Sequence, residues 1–182
     1  IMFNPPYRRT TILLLIGWFA SWCGVACFDT FLPELFIRKG LHIGNVYRNT
    51  FIYVSVGIIS TILGSFLIDT RLGRKWTLVL SMTLSGIMMS IFEFTESEAS
   101  IIAFSAILNF SNYIYFAAIY TYTPEVYPTV IRTTSFSFFH MAARLGSIGT
   151  VIYAGYMVDS DLIHILLFTG CGFMLTSAIA FA

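Results

Sequence analysis

The chain has 182 residues and a formal net charge of +1, and its composition excludes an ordinary soluble enzyme. Hydrophobic residues make up 57% of the sequence and charged residues 10%, against about 45–50% and about 25% in soluble proteins. The near balance of charge argues against a nucleic-acid partner, because phosphate binding requires clustered Lys and Arg. The mean hydropathy of +0.81 therefore predicts a protein whose solvent is the lipid bilayer.

Long apolar runs divide the chain into six predicted spans that are joined by short loops. Each span has about the 20 residues that are needed to cross the hydrocarbon core of a bilayer. We therefore predict an all-α, polytopic membrane protein with six transmembrane helices. We expect the first span to be long and ragged at its end, Pro124 to end the fourth, and Thr133 or Thr134 to cap the fifth. The predicted bounds are about 10–36, 47–68, 76–94, 100–122, 133–157 and 162–182.

The positions of Lys and Arg predict the orientation, since short cytoplasmic loops carry an excess of basic residues. Six of them fall on the side of the N-terminus, and three fall on the opposite side with the acidic turns. We therefore expect both termini in the cytoplasm, with the protein in the plasma membrane or in an organelle or vesicle membrane. The six are Arg8, Arg9, Arg71, Arg74, Lys75 and Arg132, and the three are Arg38, Lys39 and Arg48.

The loop between the second and third spans carries an acid among bases. From Gly64 to Lys75 it reads G-x-x-x-x-D-x-R-x-G-R-K. Asp69 lies at the C-terminal end of a predicted helix, where the helix dipole disfavours a carboxylate. We expect its carboxylate to accept hydrogen bonds from the free backbone N–H groups at the start of the fifth span, near Arg132 and Thr133.

The same loop predicts a charge cluster that joins the first three helices to the last three on one membrane face. Arg71 and Arg74 are placed to reach Glu125 at the end of the fourth span. Such a cluster would act as a latch in a protein that rocks between two open states. The alternative is that the bases only satisfy the positive-inside rule, which does not call for an isolated acid. The predicted members are Asp69, Arg71, Gly73, Arg74, Glu125 and Arg132.

A second signature, Y-T-Y-T-P-E-V-Y-P-T-V-I-R-T-T, runs from residue 120 to residue 134. Together, the two loops resemble the signature motifs of the major facilitator superfamily, specifically its C-terminal half. The T-P-E-V-Y-P-T run is most similar to the synaptic-vesicle-two-related and nicotinate-transporter-like branch, whose relatives include organic-ion and sugar transporters. The resemblance spans essentially the whole chain. It departs from the family at Ser135, Phe136 and Ser137, where a glycine is usual, and at Asp29, where a small or apolar residue is usual.

The resemblance implies one six-helix half over residues 1–182, built of two three-helix repeats at 1–95 and 96–182. A complete transporter would then need the other half, which the same polypeptide, another chain or self-association would supply. The chain opens with Ile1 and stops at Ala182 within an apolar stretch. We therefore expect a fragment of a longer protein.

Arg144 is the main candidate for a binding residue. It lies about eleven residues into the fifth span, roughly 16 Å deep, and an intramembrane arginine is by default a functional hypothesis. His140 and Ser147 share its helix face at i−4 and i+3. The run from Ala142 to Ile148 also resembles one in which organic-anion transporters place an arginine in the substrate cavity. This implies an anionic substrate, a carboxylate held bidentately; the alternative is that Arg144 only pairs with an internal acid or with helix carbonyls.

A polar and aromatic stripe on the fourth span is the second candidate feature. It is either a stacking wall for a flat ring or ordinary helix packing. His140 either carries a coupling proton or is a hydrogen-bonded packing residue. Asp29 is either a second proton site or a solvated helix end. The stripe consists of Asn109, Tyr113, Phe116 and Tyr120, at i, i+4, i+7 and i+11.

Two functions from different classes follow. The first is a facilitative or proton-coupled carrier (a symporter) of a small organic anion that works by alternating access, with a water-filled cavity at Arg144. The second is a transport-inactive half that serves as a structural or accessory subunit of a larger membrane assembly, with an occluded Arg144.

An enzyme is not expected, because the sequence contains neither H-E-x-x-H nor G-x-S-x-G. The cysteines Cys23, Cys27 and Cys171 lie inside apolar runs without metal-ligand spacing. We expect no bound cofactor or metal ion.

Overall fold

The computed structural model describes residues 2–5, 7–69, 73–160 and 162–182, and within these ranges the secondary structure is entirely helical. The prediction of an all-α fold is therefore confirmed. Arg71, a member of the predicted charge cluster, lies outside the described residues. The helices are α1 (Arg8–Asp29), α2 (Leu32–Arg38), α3 (Ile43–Ile68), α4 (Gly73–Glu93), α5 (Glu98–Val126), α6 (Arg132–Asp159) and α7 (Ile163–Phe181).

Among the described helices, α1, α3, α4, α5 and α7 are long and apolar enough to cross a membrane. The remaining long helix, α6, has 28 residues and extends about 42 Å at 1.5 Å per residue. Its sequence is less apolar because it carries Arg144 and His140 within an otherwise membrane-like run. It packs along α1, so the most polar of the long helices lies beside a spanning helix.

The first predicted span is wrong in one respect, because it forms two helices rather than one. The first helix, α1, ends at Asp29, and α2 begins at Leu32. A continuous helix would bring the ring of Pro33 against the carbonyl of Asp29, four residues earlier. In the first turn of α2 the missing N–H of Pro33 costs nothing.

The predicted stop at Pro124 is also wrong, because α5 continues through Pro124 to Val126. The helix ends where Tyr127 becomes extended, with φ −107° and ψ 144°. The residue before a proline is driven out of the helical conformation, and Pro128 follows Tyr127.

The predicted caps of the fifth span are not formed. The helix α6 starts at Arg132, its N-cap position is Ile131, and no side chain caps it. Thr133 and Thr134 consequently lie inside the first turn, where both are exposed.

The helices interlock across the middle of the chain. Of the long helices, α1 packs mainly against α6 and α7, while α5 packs mainly against α3 and α4; α4 and α7 pack against each other. Exchanging α1, α3 and α4 for α5, α6 and α7 reproduces the same set of contacts. This symmetry is what two three-helix repeats would produce, and the division into 1–95 and 96–182 stays a prediction.

Buried hydroxyl groups join the central helices. The Tyr115 hydroxyl of α5 lies 2.9 Å from Ser177 Oγ of α7, and Ser177 Oγ donates to the carbonyl of Gly17 in α1 at 3.1 Å. Ser85 Oγ of α4 donates to Asn112 Oδ1 of α5 at 2.6 Å. In lipid, such interhelical hydrogen bonds and close packing replace the hydrophobic driving force between helices.

Small residues allow α1 and α7 to approach closely. A Cβ atom on Gly24 would lie 2.7 Å from Cγ of Met174 and 3.1 Å from the carbonyl oxygen of Gly170. A Cβ atom on Gly170 would lie 3.1 Å from that of Cys27. The two helices therefore cross at a point that has no room for larger side chains.

We predict that Gly24→Leu lowers the thermal stability of the protein in detergent. Overpacking of a close contact costs about 1–3 kcal/mol, and the obstructing oxygen of Gly170 belongs to a helix backbone. The matched control is Gly172→Leu, since a Cβ on Gly172 meets nothing within 4 Å. Equal melting temperatures for the two variants would contradict this packing.

Candidate functional site

Arg144 of α6 is exposed, and its guanidinium lies over an aromatic ring of α1. The distance from Arg144 Cζ to the centroid of the Trp22 ring is 4.3 Å. Within the described ranges, no carboxylate forms an ion pair with Arg144. A cation over the face of a tryptophan is attracted by about 0.5–2 kcal/mol. The interpretation of Arg144 as the partner of an internal acid is therefore not supported by the described part of the chain.

Trp22 itself faces the same region. Its ring centroid lies 5.2 Å from that of Phe116 in α5 and 5.9 Å from that of His140 in α6. Its Nε1 is buried and has no hydrogen-bond partner among the described residues. A buried donor without a partner costs about 1–3 kcal/mol, so this N–H group is a local source of strain in the cluster.

Trp18 lies one turn before Trp22 and is completely buried. Its Nε1 donates to Thr123 Oγ1 of α5 at 2.9 Å. Its ring packs edge-on against Tyr120 of α5 at 5.1 Å and against Phe136 of α6 at 5.8 Å, measured between centroids. The contacts of Trp18 thus hold α1, α5 and α6 together beneath Arg144. We call the following residues the aromatic cluster: Trp18, Trp22, Phe116, Tyr120, Phe136 and His140.

His140 forms part of the aromatic cluster through a hydrogen bond. Its Nε2 lies 2.9 Å from the hydroxyl of Tyr120, and the Arg144 side chain follows one turn later on the same helix. A proton on His140 would place a second positive charge beside the guanidinium. The geometry therefore favours a neutral, hydrogen-bonded His140 over a carrier of the coupling proton.

The residues of the predicted stripe on α5 lie in two different environments. Phe116 and Tyr120 belong to the aromatic cluster. Asn109 instead donates through Nδ2 to the carbonyl of Tyr53 in α3, and the ring of Tyr113 lies against Gly57 of the same helix. The stripe therefore connects Arg144's surroundings with α3 and does not form a single wall.

Ser147 is directed to its own helix. Its hydroxyl donates to the carbonyl of Arg144 at 3.1 Å. The Ser147 hydroxyl can leave this local hydrogen bond and bind a ligand instead, but the bond itself does not indicate a binding site.

The charge cluster on the N-terminal face is partly formed. Arg74, in the first turn of α4, pairs with Glu125, in the last turn of α5. The Nη2 group of Arg74 donates to Oε1 at 2.8 Å, and its Nε lies 2.5 Å from Oε2. Gly73 begins α4 with φ +73°, a conformation that glycine adopts most readily.

The other predicted members do not join this pair. Asp69 accepts no hydrogen bond from the start of α6 in the described part of the chain; its backbone N–H caps α3 instead. Arg132 is the first residue of α6 and is exposed. A separate contact joins α1 to the residue after α5, since Thr11 Oγ1 lies 2.8 Å from the hydroxyl of Tyr127. Burial raises the pKa of Tyr127, so this hydroxyl stays protonated. In the described residues, Ile131 occupies the N-cap position of α6 and no side chain caps this helix, so Asp69 does not make the predicted contact there.

Sequence reasoning missed Trp18, Trp22 and Phe136. A signal was present, since each of three spans carries aromatic or histidine side chains one turn apart: 18 and 22, 116 and 120, and 136 and 140. Pairs at i and i+4 lie on one helix face. Recognising that α1, α5 and α6 meet would have required knowledge of the packing.

The comparisons with known proteins identify one family. A family model described as Major Facilitator Superfamily matches residues 5–182. An uncharacterized MFS-type transporter of Schizosaccharomyces pombe is 26% identical over 150 residues, which cover 80% of this chain and 27% of the relative. The niacin transporter NiaP of Acinetobacter baylyi is 26% identical over 164 residues, covering 90% of this chain and 37% of the relative. Solute carrier family 22 member 16 of Xenopus laevis is 29% identical over 163 residues, covering 87% and 27%.

The chain thus spans between about a quarter and two fifths of the length of these relatives.

The bond between Trp18 and Thr123 provides a test of this site's geometry. We predict that Trp18→Phe and Thr123→Val each lower the free energy of unfolding, and that the double variant loses less than the sum. Interhelical hydrogen bonds in membrane proteins couple by about 0.6 kcal/mol on average. A double-mutant cycle of thermal stability in detergent measures the coupling; additive effects would contradict the contact.

Proposed function

The chain belongs to the major facilitator superfamily and is an integral multi-pass membrane protein, and from this premise we propose that it forms part of a carrier for small organic anions. The superfamily and the transporter names of its relatives assign the chain to transport rather than to catalysis. The proposed carrier moves its solute by alternating access, with a binding site that includes Arg144.

The observation that carries this proposal is the guanidinium of Arg144 over the ring of Trp22, at 4.3 Å. An unpaired charge at this depth in a helix is costly unless it faces water or a ligand. A carboxylate fits the free edge of a guanidinium bidentately. The contact with Trp22 holds the guanidinium in place before the ligand arrives, which reduces the entropy lost on binding.

The aromatic cluster supports a ligand with a flat ring. Phe116 and Trp22 are half-buried, so each presents part of its surface next to the guanidinium. Stacked or edge-on aromatic contacts contribute about 0.5–1.5 kcal/mol beyond the area that they bury. A small aromatic monocarboxylate would satisfy both features. Two relatives are named for niacin, which is such a molecule: the niacin transporter NiaP of Acinetobacter baylyi and the putative niacin/nicotinamide transporter NiaP of Bacillus subtilis.

The pair of Arg74 and Glu125 supports a role in the conformational change. It joins the start of α4 to the end of α5 on one membrane face. A half-exposed pair contributes little to stability, but such a pair can bias a rocking equilibrium if it forms in one state only. We propose that Asp69 and Arg132 complete this cluster when the other six-helix half is in place, on a cytoplasmic face that also holds both ends of the chain.

The competing function, a transport-inactive accessory half, predicts an occluded Arg144. The lack of an acidic partner for Arg144 in the described ranges favours transport. The other half would then complete the cavity.

We predict that the full-length gene product, in proteoliposomes, takes up radiolabelled nicotinate in preference to its uncharged amide. Arg144→Ala should abolish this preference. Arg144→Lys keeps the charge but loses the bidentate geometry, and should raise KM by roughly tenfold to a hundredfold, since hydrogen bonds to charged groups contribute about 1.5–3 kcal/mol.

The matched control is Arg48→Lys, because Arg48 lies at the start of α3 and is exposed far from the aromatic cluster. Undiminished uptake of nicotinate by a well-folded Arg144→Ala variant would refute the proposed site. A folded native protein that takes up no organic acid would support the accessory function instead.

A charge exchange tests the pair on the N-terminal face. We predict that Arg74→Glu and Glu125→Arg each slow uptake up to severalfold at unchanged KM, because an exposed pair contributes about 0.2–1 kcal/mol. The double variant should recover most of the native rate. A double variant that is slower than both single variants would contradict a latch made by this pair.

A further inference from the structure

The C-terminal end of α1 carries an acid, Asp29, that belongs neither to the aromatic cluster nor to the pair of Arg74 and Glu125. Asp29 is the last residue of α1, and its Oδ1 accepts a hydrogen bond from the hydroxyl of Tyr53 in α3 at 2.5 Å. The Tyr53 side chain is buried, with 5% of its surface exposed, whereas Asp29 is exposed. The residue thus lies at the surface of the chain, while its carboxyl group is held by a buried neutral partner.

The surroundings of Asp29 contain no neutralising cation among the described residues. The two bases at the end of α2 have other partners: Arg38 donates to the carbonyl of Val158 at 3.0 Å, and Lys39, which follows α2, donates to that of Thr95 at 3.2 Å. The titratable group that faces the pair from α5 is the phenol of Tyr113. The C-terminal end of α1 also disfavours negative charge.

Tyr53 suits both protonation states of Asp29. Its hydroxyl donates to the carboxylate, and its oxygen can accept from the carboxylic acid without any movement of either side chain. The backbone of Tyr53 is fixed in turn, because its carbonyl accepts a hydrogen bond from Asn109 in α5. The partner of the acid is thus anchored on a helix that also lines the aromatic cluster.

Asp29 and the site of Arg144 are connected along two helices. Asp29 follows Trp22 by seven residues, so both lie on one face of α1, about 10 Å apart. On α5, the stripe runs from Asn109, beside Tyr53, to Phe116, beside Trp22. The acid and the guanidinium are therefore linked by residues that contact one another along α1 and α5.

We propose that Asp29 binds and releases the proton that is coupled to transport, with Tyr53 as its hydrogen-bond partner in both states. This inference rests on the proposed function. Asp29 takes a proton from water on the face opposite the N-terminus and becomes a neutral carboxylic acid, while the substrate carboxylate pairs with Arg144. On the other face, the acid returns the proton to water and becomes a carboxylate again.

The coupling follows from the sum of the charges. The empty site holds Arg144 with charge +1 and Asp29 with charge −1, and the fully loaded site holds a neutral acid and a paired guanidinium. Both states have no net charge. A site that carries only the anion or only the proton has one unbalanced charge, which is costly within a membrane. The states that interconvert are therefore empty or doubly loaded, which couples one proton to one monoanion.

A second acid, the buried Glu93, fits this role less well. Glu93, at the end of α4, contacts the imidazole of His164 at the start of α7. That pair contains a base as well as an acid, and it lies away from the surface between Trp22 and Tyr53. We therefore assign it to holding α4 against α7.

The test compares driving forces in proteoliposomes that contain the full-length gene product, with nicotinate as the probe. We expect native uptake to respond to an imposed pH gradient and not to a potassium diffusion potential set by valinomycin. Asp29→Asn should lose the response to the pH gradient, gain a response to the potential, and retain exchange of internal for external nicotinate. Asp29→Glu should restore the native pattern. Glu96→Gln is the matched control, an exposed acid on the same membrane face.

An Asp29→Asn variant that keeps the native response to the pH gradient would overturn the inference and leave the proposed function intact. Failure of the native protein to take up or exchange nicotinate would instead count against the proposed function. Infrared titration then tests Asp29 directly. A carboxyl band that changes with pH in the native protein and is absent from Asp29→Asn supports the proton site, and a spectrum unchanged by the substitution overturns it.

Discussion

The burial of Trp18 is the constraint on which the candidate site depends. Its indole has no exposed surface, and a polar N–H in such a position must find an acceptor. Thr123 of α5 provides that acceptor, and Phe136 of α6 packs on the ring. One side chain of α1 thereby fixes the relative positions of the three helices that carry the aromatic cluster. Trp22 follows one turn later on α1, and its ring contacts the guanidinium of Arg144.

The interlocked packing explains why this arrangement is not local to one part of the chain. The helices that meet at the site are α1 from the first three long helices and α5 and α6 from the last three. Neither group would form the aromatic cluster alone. The close crossing at Gly24 and the hydroxyl network around Tyr115 hold the two groups of helices together. Such contacts are needed because the hydrophobic effect does not drive the association of helices in lipid.

The sequence allowed the fold class, the family and the pair of Arg74 and Glu125 to be predicted, because these depend on local apolar runs and on loop signatures. It did not reveal the break at Thr30, although Pro33 was visible, because the length of the apolar run suggested one helix. Trp22 was missed as the partner of Arg144 since their residue numbers are 122 apart, and only the packing of α1 on α6 joins them. Asn109 and Tyr113 were placed with Phe116 by periodicity alone, whereas contacts with α3 separate them.

The most direct test of the account is a structure of the full-length gene product with nicotinate bound. We predict that the carboxylate of nicotinate lies within hydrogen-bonding distance of the Arg144 guanidinium and that its pyridine ring packs against Trp22 and Phe116. The other six-helix half would close the cavity without placing an acid against Arg144. A ligand bound elsewhere, or a carboxylate of the other half paired with Arg144 in the ligand-free state, would contradict the account.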